Sequence, residues 1–135
     1  MARQVATTER TLMDQYFATL EEIGRKLPRE KIEQAVELIH ETWRNDGTVF
    51  LMGNGGSAST ATHFAADLAK FAMVKGKKRL KVLSLVDNVP LVSAWTNDSG
   101  FGTIFAEQLD AWVRKGDLVI ALSVHGGSGG WSQNL

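Results

Sequence analysis

A parallel α/β sheet flanked by helices is the fold this sequence predicts, and three observations point to it. Short apolar runs of strand length, Thr48–Met52, Lys81–Val86 and Leu118–Ser123, alternate with longer amphipathic stretches. Runs of this kind suit strands covered on both faces, as parallel sheets require. The first and third runs each empty into a loop of small residues, Gly53-Asn54-Gly55-Gly56-Ser57 and Val124-His125-Gly126-Gly127-Ser128-Gly129-Gly130. Ligands on such sheets sit beyond the carboxyl ends of the strands, so both loops are expected on one rim.

Two helices precede the first strand. Residues Thr8–Ile23 carry Leu12, Tyr16, Leu20 and Ile23 at helical spacing, and Gly24 is placed to end that helix. The second opens near Pro28, because proline suits a first helical turn. It shows Ile32, Ala35, Val36, Ile39 and Trp43 on one stripe before Asn45-Asp46-Gly47 stops it. A minimal βαβ unit needs neither helix, so residues 1–47 are expected to pair with another subunit, the alternative being that they cover the sheet. The first glycine loop leads into a helix from Ala58 to Lys70, with Ser57 as its N-cap. Lys75-Gly76-Lys77-Lys78-Arg79 reads as a solvated loop before the second strand. Asp87-Asn88 caps a helix from Val89 to about Thr96, which Asn97-Asp98-Ser99-Gly100 breaks. A further helix, Phe101–Val113, turns Ile104, Phe105, Leu109 and Trp112 inward, and Gly116-Asp117 leads into the third strand. Trp131-Ser132-Gln133-Asn134-Leu135 reads as the opening of another helix, so the fold is expected to continue beyond this sequence.

Composition narrows the class. With 135 residues, 44% of them apolar, the chain suits one domain with an ordinary core. Fifteen basic residues balance fifteen acidic ones, which argues against a broad nucleic-acid surface. Cysteine is absent, which excludes disulfides and thiolate metal sites and suits a reducing cytoplasm. No apolar run approaches the roughly 20 residues of a membrane helix, and the polar N-terminus is no signal peptide. A cytoplasmic protein working away from membranes is expected.

The first strand, its glycine turn and the following helix N-terminus describe an anion-binding corner, because unpaired N–H groups at a helix start attract phosphate. Gly53-x-Gly55-x-x-Ala58 also satisfies a dinucleotide fingerprint, with Asp87 as the ribose-holding acid, although that acid lies about 30 residues on rather than the usual 20. His63 and Asp67 stand four apart on one helical face. An imidazole and a carboxylate one turn apart can chelate a divalent metal or serve as base and electrophile; a surface pair is the plainer alternative. Asn97 and Asp98 suit a helix stop. Ser123, Ser128 and the intervening glycines can offer hydroxyl and backbone donors to a phosphate, and His125 can meet its charge.

Four segments, taken in order, resemble the sugar isomerase (SIS) domain and within it the phosphoheptose isomerase family. They are Gly53-Asn54-Gly55-Gly56-Ser57, His63-Phe64-Ala65-Ala66-Asp67-Leu68, Asn97-Asp98-Ser99-Gly100-Phe101 and Ser123-Val124-His125-Gly126-Gly127-Ser128. The resemblance implies a three-layer, flavodoxin- or Rossmann-like sheet with two additional N-terminal helices. It implies a phosphosugar held by Asn54, Gly55, Gly56, Ser57, Asn97, Asp98, Ser123, Val124, His125 and Ser128. The family's helix histidine is a zinc ligand, matched by His63, and the residue four positions on is normally Glu, both metal ligand and acid/base. Here that residue is Asp67, which withdraws the carboxylate by one methylene. The loop departs too, since the family reads Ser-Thr-Ser-Gly-Asn-Ser. Further zinc ligands, a Gln and a His from a later helix, are implied but lie outside this sequence. Tetramers built through the N-terminal helices are implied as well.

The function expected on this basis is aldose–ketose isomerisation of a seven-carbon sugar phosphate, sedoheptulose 7-phosphate, in heptose biosynthesis. Asp67 and His63 would be catalytic, zinc the cofactor, and a homotetramer the assembly. The alternative is a non-catalytic SIS module of the replication-initiator-associating type.

Overall fold

The computed structural model describes residues 2–126, with side chains from residue 11 onward. Ser128 and the expected helix opening at residues 131–135 lie outside the described residues. The chain divides into two compact units, the first running to Ala35 and the second beginning at Val36.

In the first unit, helix α1 covers Ala2–Lys26 and α2 begins at Arg29, ending in the second unit at Arg44. Gly24 does not end α1 as expected. Glycine inside a helix costs only about 1 kcal/mol, and the exposed pairs Glu21–Arg25 and Glu22–Lys26, each 2.5 Å, bridge the turn that contains it. The stop is set instead by Pro28, which disfavours helical backbone at Leu27. Its carbonyl accepts the amide N–H groups of Lys31 and Ile32 and so opens α2. Leu12, Met13, Tyr16, Phe17, Leu20 and Ile23 are all exposed.

The second unit is built on β1 (Thr48–Gly53), β2 (Lys81–Ser84) and β3 (Leu118–Leu122), all parallel, in the order β2-β1-β3. Helix α3 (Gly56–Ala66) and a π-helical turn (Asp67–Phe71) connect β1 to β2. Helix α4 (Val89–Ser99), a 3₁₀ turn (Phe101–Thr103) and α5 (Ala106–Trp112) connect β2 to β3. Alternation along β1 divides the core between the two faces. Val49 and Leu51 pack with Ala61 and Ala65 of α3, while Phe50 packs with Leu85, Ile104 and Phe105. The helices therefore lie on opposite faces of the central strand, as the sequence predicts. On β3, Leu118, Ile120 and Leu122 join the α3-side core, whereas Val119 and Ala121 on the other face are exposed.

Two expectations for the β2–β3 crossover are corrected. Asn97, Asp98 and Ser99 remain helical, and α4 stops at Gly100, whose φ of 94° and ψ of 152° no other residue adopts readily. Trp112 does not point inward but is 60% exposed. It is the last residue of α5, and the chain leaves it extended at Val113, so no further turn covers the ring. Gln108 occupies a buried position beside Leu109 instead.

At the amino ends of the strands, half-buried Asp117 ties two segments together. Its Oδ1 accepts from the Thr48 amide and its Oδ2 from the Arg114 amide, each at 2.7 Å. Asp117→Ala removes both acceptors and leaves the Thr48 donor unpaired beside the core. The expected loss is about 1.5–3 kcal/mol, read as a lower urea midpoint with unchanged slope. Nearby, the Lys81 ammonium hydrogen-bonds the Asp46 carboxylate and holds that carboxyl below its usual range. This exposed contact favours the fold above the ordinary aspartate pKa and is lost as the pH falls through the lowered value.

Candidate functional site

The corner after β1 is shaped by close approach rather than by a side-chain cap. A Cβ on Gly53 would stand 2.7 Å from the Ser57 carbonyl oxygen and 2.9 Å from Ser57 Cβ, so only glycine lets α3 start this near the strand. Gly55 has φ 55° and ψ −122°, which is open to glycine alone in practice. Helix α3 begins at Gly56 with Gly55 as N-cap and no side-chain cap. Ser57 is therefore not the cap but lies inside the first turn, because the turn closes earlier. The Ser57 amide donates to Asn54 O and the Ala58 amide to Gly55 O, each at 3.0 Å.

The register between β1 and β3 sets the start of the second loop, residues 123–126, next to the strand that ends in this corner. Gly53 pairs with Leu122, so Asn54 and Ser123 leave adjacent strands at the same level. The order β2-β1-β3 puts the crossovers on opposite faces, and the divide between β1 and β3 is the switch point where α/β sheets bind ligands. Val124 and His125 continue from Ser123 and are exposed.

His63 and Asp67 meet as their spacing requires, with Nε2 and Oδ2 3.4 Å apart. The pair is open to solvent and stands where α3 gives way to the π turn; the Ala72 amide donates to Asp67 O across five residues. Single π turns are frequent at functional sites. The donor types suit zinc, for which a catalytic site takes about three protein ligands. Among the described residues no third His, Asp or Glu stands with this pair.

Known proteins supply the family. The SIS domain model matches residues 13–130. The chain belongs to the SIS-domain family. Lincomycin biosynthesis protein LmbN from Streptomyces lincolnensis is 51% identical over 94 residues, 70% of this chain and 34% of that protein. A phosphoheptose isomerase from Syntrophotalea carbinolica is 39% identical over 115 residues, 82% of this chain and 58% of the relative. The solved structure of phosphoheptose isomerase from Neisseria gonorrhoeae matches 92% of this chain and 63% of its own, with a TM-score of 0.76 at 29% identity. The chain thus spans roughly a third to two thirds of the length of these relatives.

Several other candidate residues of this SIS domain have side-chain partners of their own. Asn97 Nδ2 donates to Asp98 Oδ1 at 2.7 Å, so these two bond to each other in the last turn of α4. Asp87, the ribose-holding acid of the dinucleotide reading, is turned onto α3. Its Oδ1 accepts from Thr62 Oγ1 at 2.5 Å and from Ser84 Oγ at 3.1 Å. Asn88 is the true cap of α4, accepting from the Leu91 amide at 3.1 Å. A cavity of about 460 Å³ lies on the α3 face, lined by Trp43, Phe64, Leu68, Met73 and neighbours, with no candidate sugar-binding residue in its wall.

Sequence reasoning missed Gln108. Its Nε2 donates to Ile104 O at 2.7 Å and to Leu85 O at 3.0 Å, pinning the turn after β2 from the α5 side. A signal was available: Gln108 is a polar residue on the stripe of Ile104, Phe105 and Leu109. Thr62 gave no such signal, because its partner lies 25 residues away.

No helix among the described residues is long and apolar enough to cross a membrane.

Proposed function

We propose that this SIS domain grips a sugar phosphate at the β1–β3 rim and interconverts its ketose and aldose forms, with sedoheptulose 7-phosphate as the leading substrate. The observation that supports the reading is the Gly53–Leu122 register, by which Asn54 and Ser123 leave adjacent strands at the same level. A phosphate fits there because backbone N–H groups can approach it without side-chain interference. Asn54, Gly55, Gly56, Ser57, Ser123, Val124, His125 and Ser128 are assigned to the grip, and Asn97 and Asp98 to the sugar. The phosphoheptose isomerases among the relatives support the substrate.

Isomerisation moves one proton between neighbouring carbons. A base takes the proton from the carbon beside the carbonyl, an enediolate forms, and the same proton is returned to the former carbonyl carbon while a hydroxyl proton shifts between the oxygens. Asp67 is assigned as the base, since a carboxylate within hydrogen-bond reach performs such transfers. Zinc held through His63 and Asp67 would polarise the carbonyl oxygen. The test is an isomerase assay on the full natural reading frame, with and without zinc, using ketose phosphates of several chain lengths. The LmbN relative, named for lincomycin biosynthesis, is the reason to vary the length. Metal-dependent turnover supports the reading; saturable sugar-phosphate binding without turnover would replace it with a binding module.

The assembly proposed is a homotetramer joined through the N-terminal helices. Support comes from α1, where Leu12, Met13, Tyr16, Phe17, Leu20 and Ile23 are each 45–67% exposed, a larger apolar stripe than an isolated helix keeps in water. Phe17→Glu with Leu20→Glu is expected to convert the assembly to monomers in sedimentation; an unchanged oligomer would remove α1 from the interface.

A further inference from the structure

Thr62 immediately precedes His63 on α3, and its hydroxyl is bound by the carboxylate of Asp87, three residues past the end of β2. The same oxygen accepts from Ser84 Oγ, which is buried at the strand end, and the two hydroxyls are 3.4 Å apart. The turn that carries Asp87 is itself held. The Leu85 amide donates to Leu51 O of β1 at 2.9 Å, the Leu85 carbonyl accepts from Gln108, and Asn88 caps α4. Asp87 thus sits on a fixed turn and reaches across to α3, one residue from the candidate catalytic pair.

The helix needs such a hold. Ala61 and Ala65 are the α3 residues buried in the core, and an alanine face presents low ridges that resist sliding and rotation poorly. Phe64 and Leu68 are only partly buried there. A rotation of about 10–20° moves atoms some 6 Å from a helix axis by about 1–2 Å, which is more than a catalytic constellation tolerates. We infer that Asp87, through Thr62, is a positioning residue that fixes the rotation of α3 and with it the placing of His63 and Asp67. This rests on the isomerase reading above, in which that pair performs the chemistry.

The step from contact to rate follows from distance. A displacement near 1 Å costs about 100-fold in rate while leaving phosphate contacts made by the two loops in place. Asp87→Ala and Thr62→Val are each expected to lower kcat by about 10–100-fold with KM changed less than about threefold. Thr62→Ser, which keeps the hydroxyl, is expected to retain wild-type kcat. The double variant is expected to be no worse than either single one, because both remove the same bond.

The experiment uses the full natural reading frame, assayed well below the melting temperature of each variant. A kcat loss rescued in Thr62→Ser supports the role. Wild-type kcat in a folded Asp87→Ala variant overturns it, and so does an additive double variant, which marks two unrelated structural effects. Amide hydrogen exchange over residues 57–66 supplies a readout independent of turnover. Faster exchange confined to α3 in Asp87→Ala supports the hold, and unchanged exchange overturns it. An inactive wild type with this exchange result would fail the isomerase reading alone.

Discussion

Asp67→Ala is expected to lower isomerase kcat by about 10²–10⁴-fold, the range a positioned acid/base group contributes. Sugar-phosphate affinity should change less than about threefold, because the proposed grip consists of the loops after β1 and β3, whereas Asp67 lies in the π turn after α3. The loss should fall on kcat and kcat/KM together, as for an interaction made in the transition state. Zinc content should fall in the same variant and in His63→Ala, since each removes one of two adjacent donors. Metal analysis therefore separates the roles: retained zinc with lost turnover leaves Asp67 as base only. Equal activity in Asp67→Ala removes it from the mechanism. Asp67→Glu extends the carboxylate by one methylene, toward the family pattern, and is expected to stay active.

Gly53→Ala is the second large effect, and it acts on binding. The added methyl would overlap the Ser57 carbonyl oxygen, carbonyl carbon and Cβ at 2.7–2.9 Å, and all three belong to the first turn of α3 rather than to a movable side-chain end. Overpacking of this kind typically costs about 1–3 kcal/mol. Relief requires α3 to back away from β1, which moves the start of the helix away from the proposed phosphate site. Phosphate affinity is expected to fall more than tenfold alongside a lowered melting temperature. Calorimetric titration with the sugar phosphate, run below that temperature, checks it; full affinity in the folded variant would show that the close approach is dispensable.

Much of the site could be read from local pattern. The Gly-Asn-Gly-Gly turn, the i,i+4 relation of His63 and Asp67 and the loop after the third strand all follow from spacing that a helix or strand enforces over a few residues. Errors arose where a neighbour decided the outcome. Ser57 looks like a cap, yet Gly53 lets the helix start one turn-residue earlier. Gly24 looks like a stop, yet flanking ion pairs and Pro28 set the end further on. Trp112 fits the stripe of α5, yet the helix ends on it.

The sequence by itself determined the strand–helix alternation, the two small-residue loops and the histidine–carboxylate turn, because each depends on residues close together in the chain. Only the tertiary structure decided that β1 lies between β2 and β3, that Gly53 meets Leu122, and that Asp87 faces Thr62 rather than a ribose. Strand order and register pair residues tens of positions apart, and no local periodicity encodes which of several apolar strands becomes the centre. That choice is made by packing, when α3 covers one face of β1 and α4 with α5 covers the other.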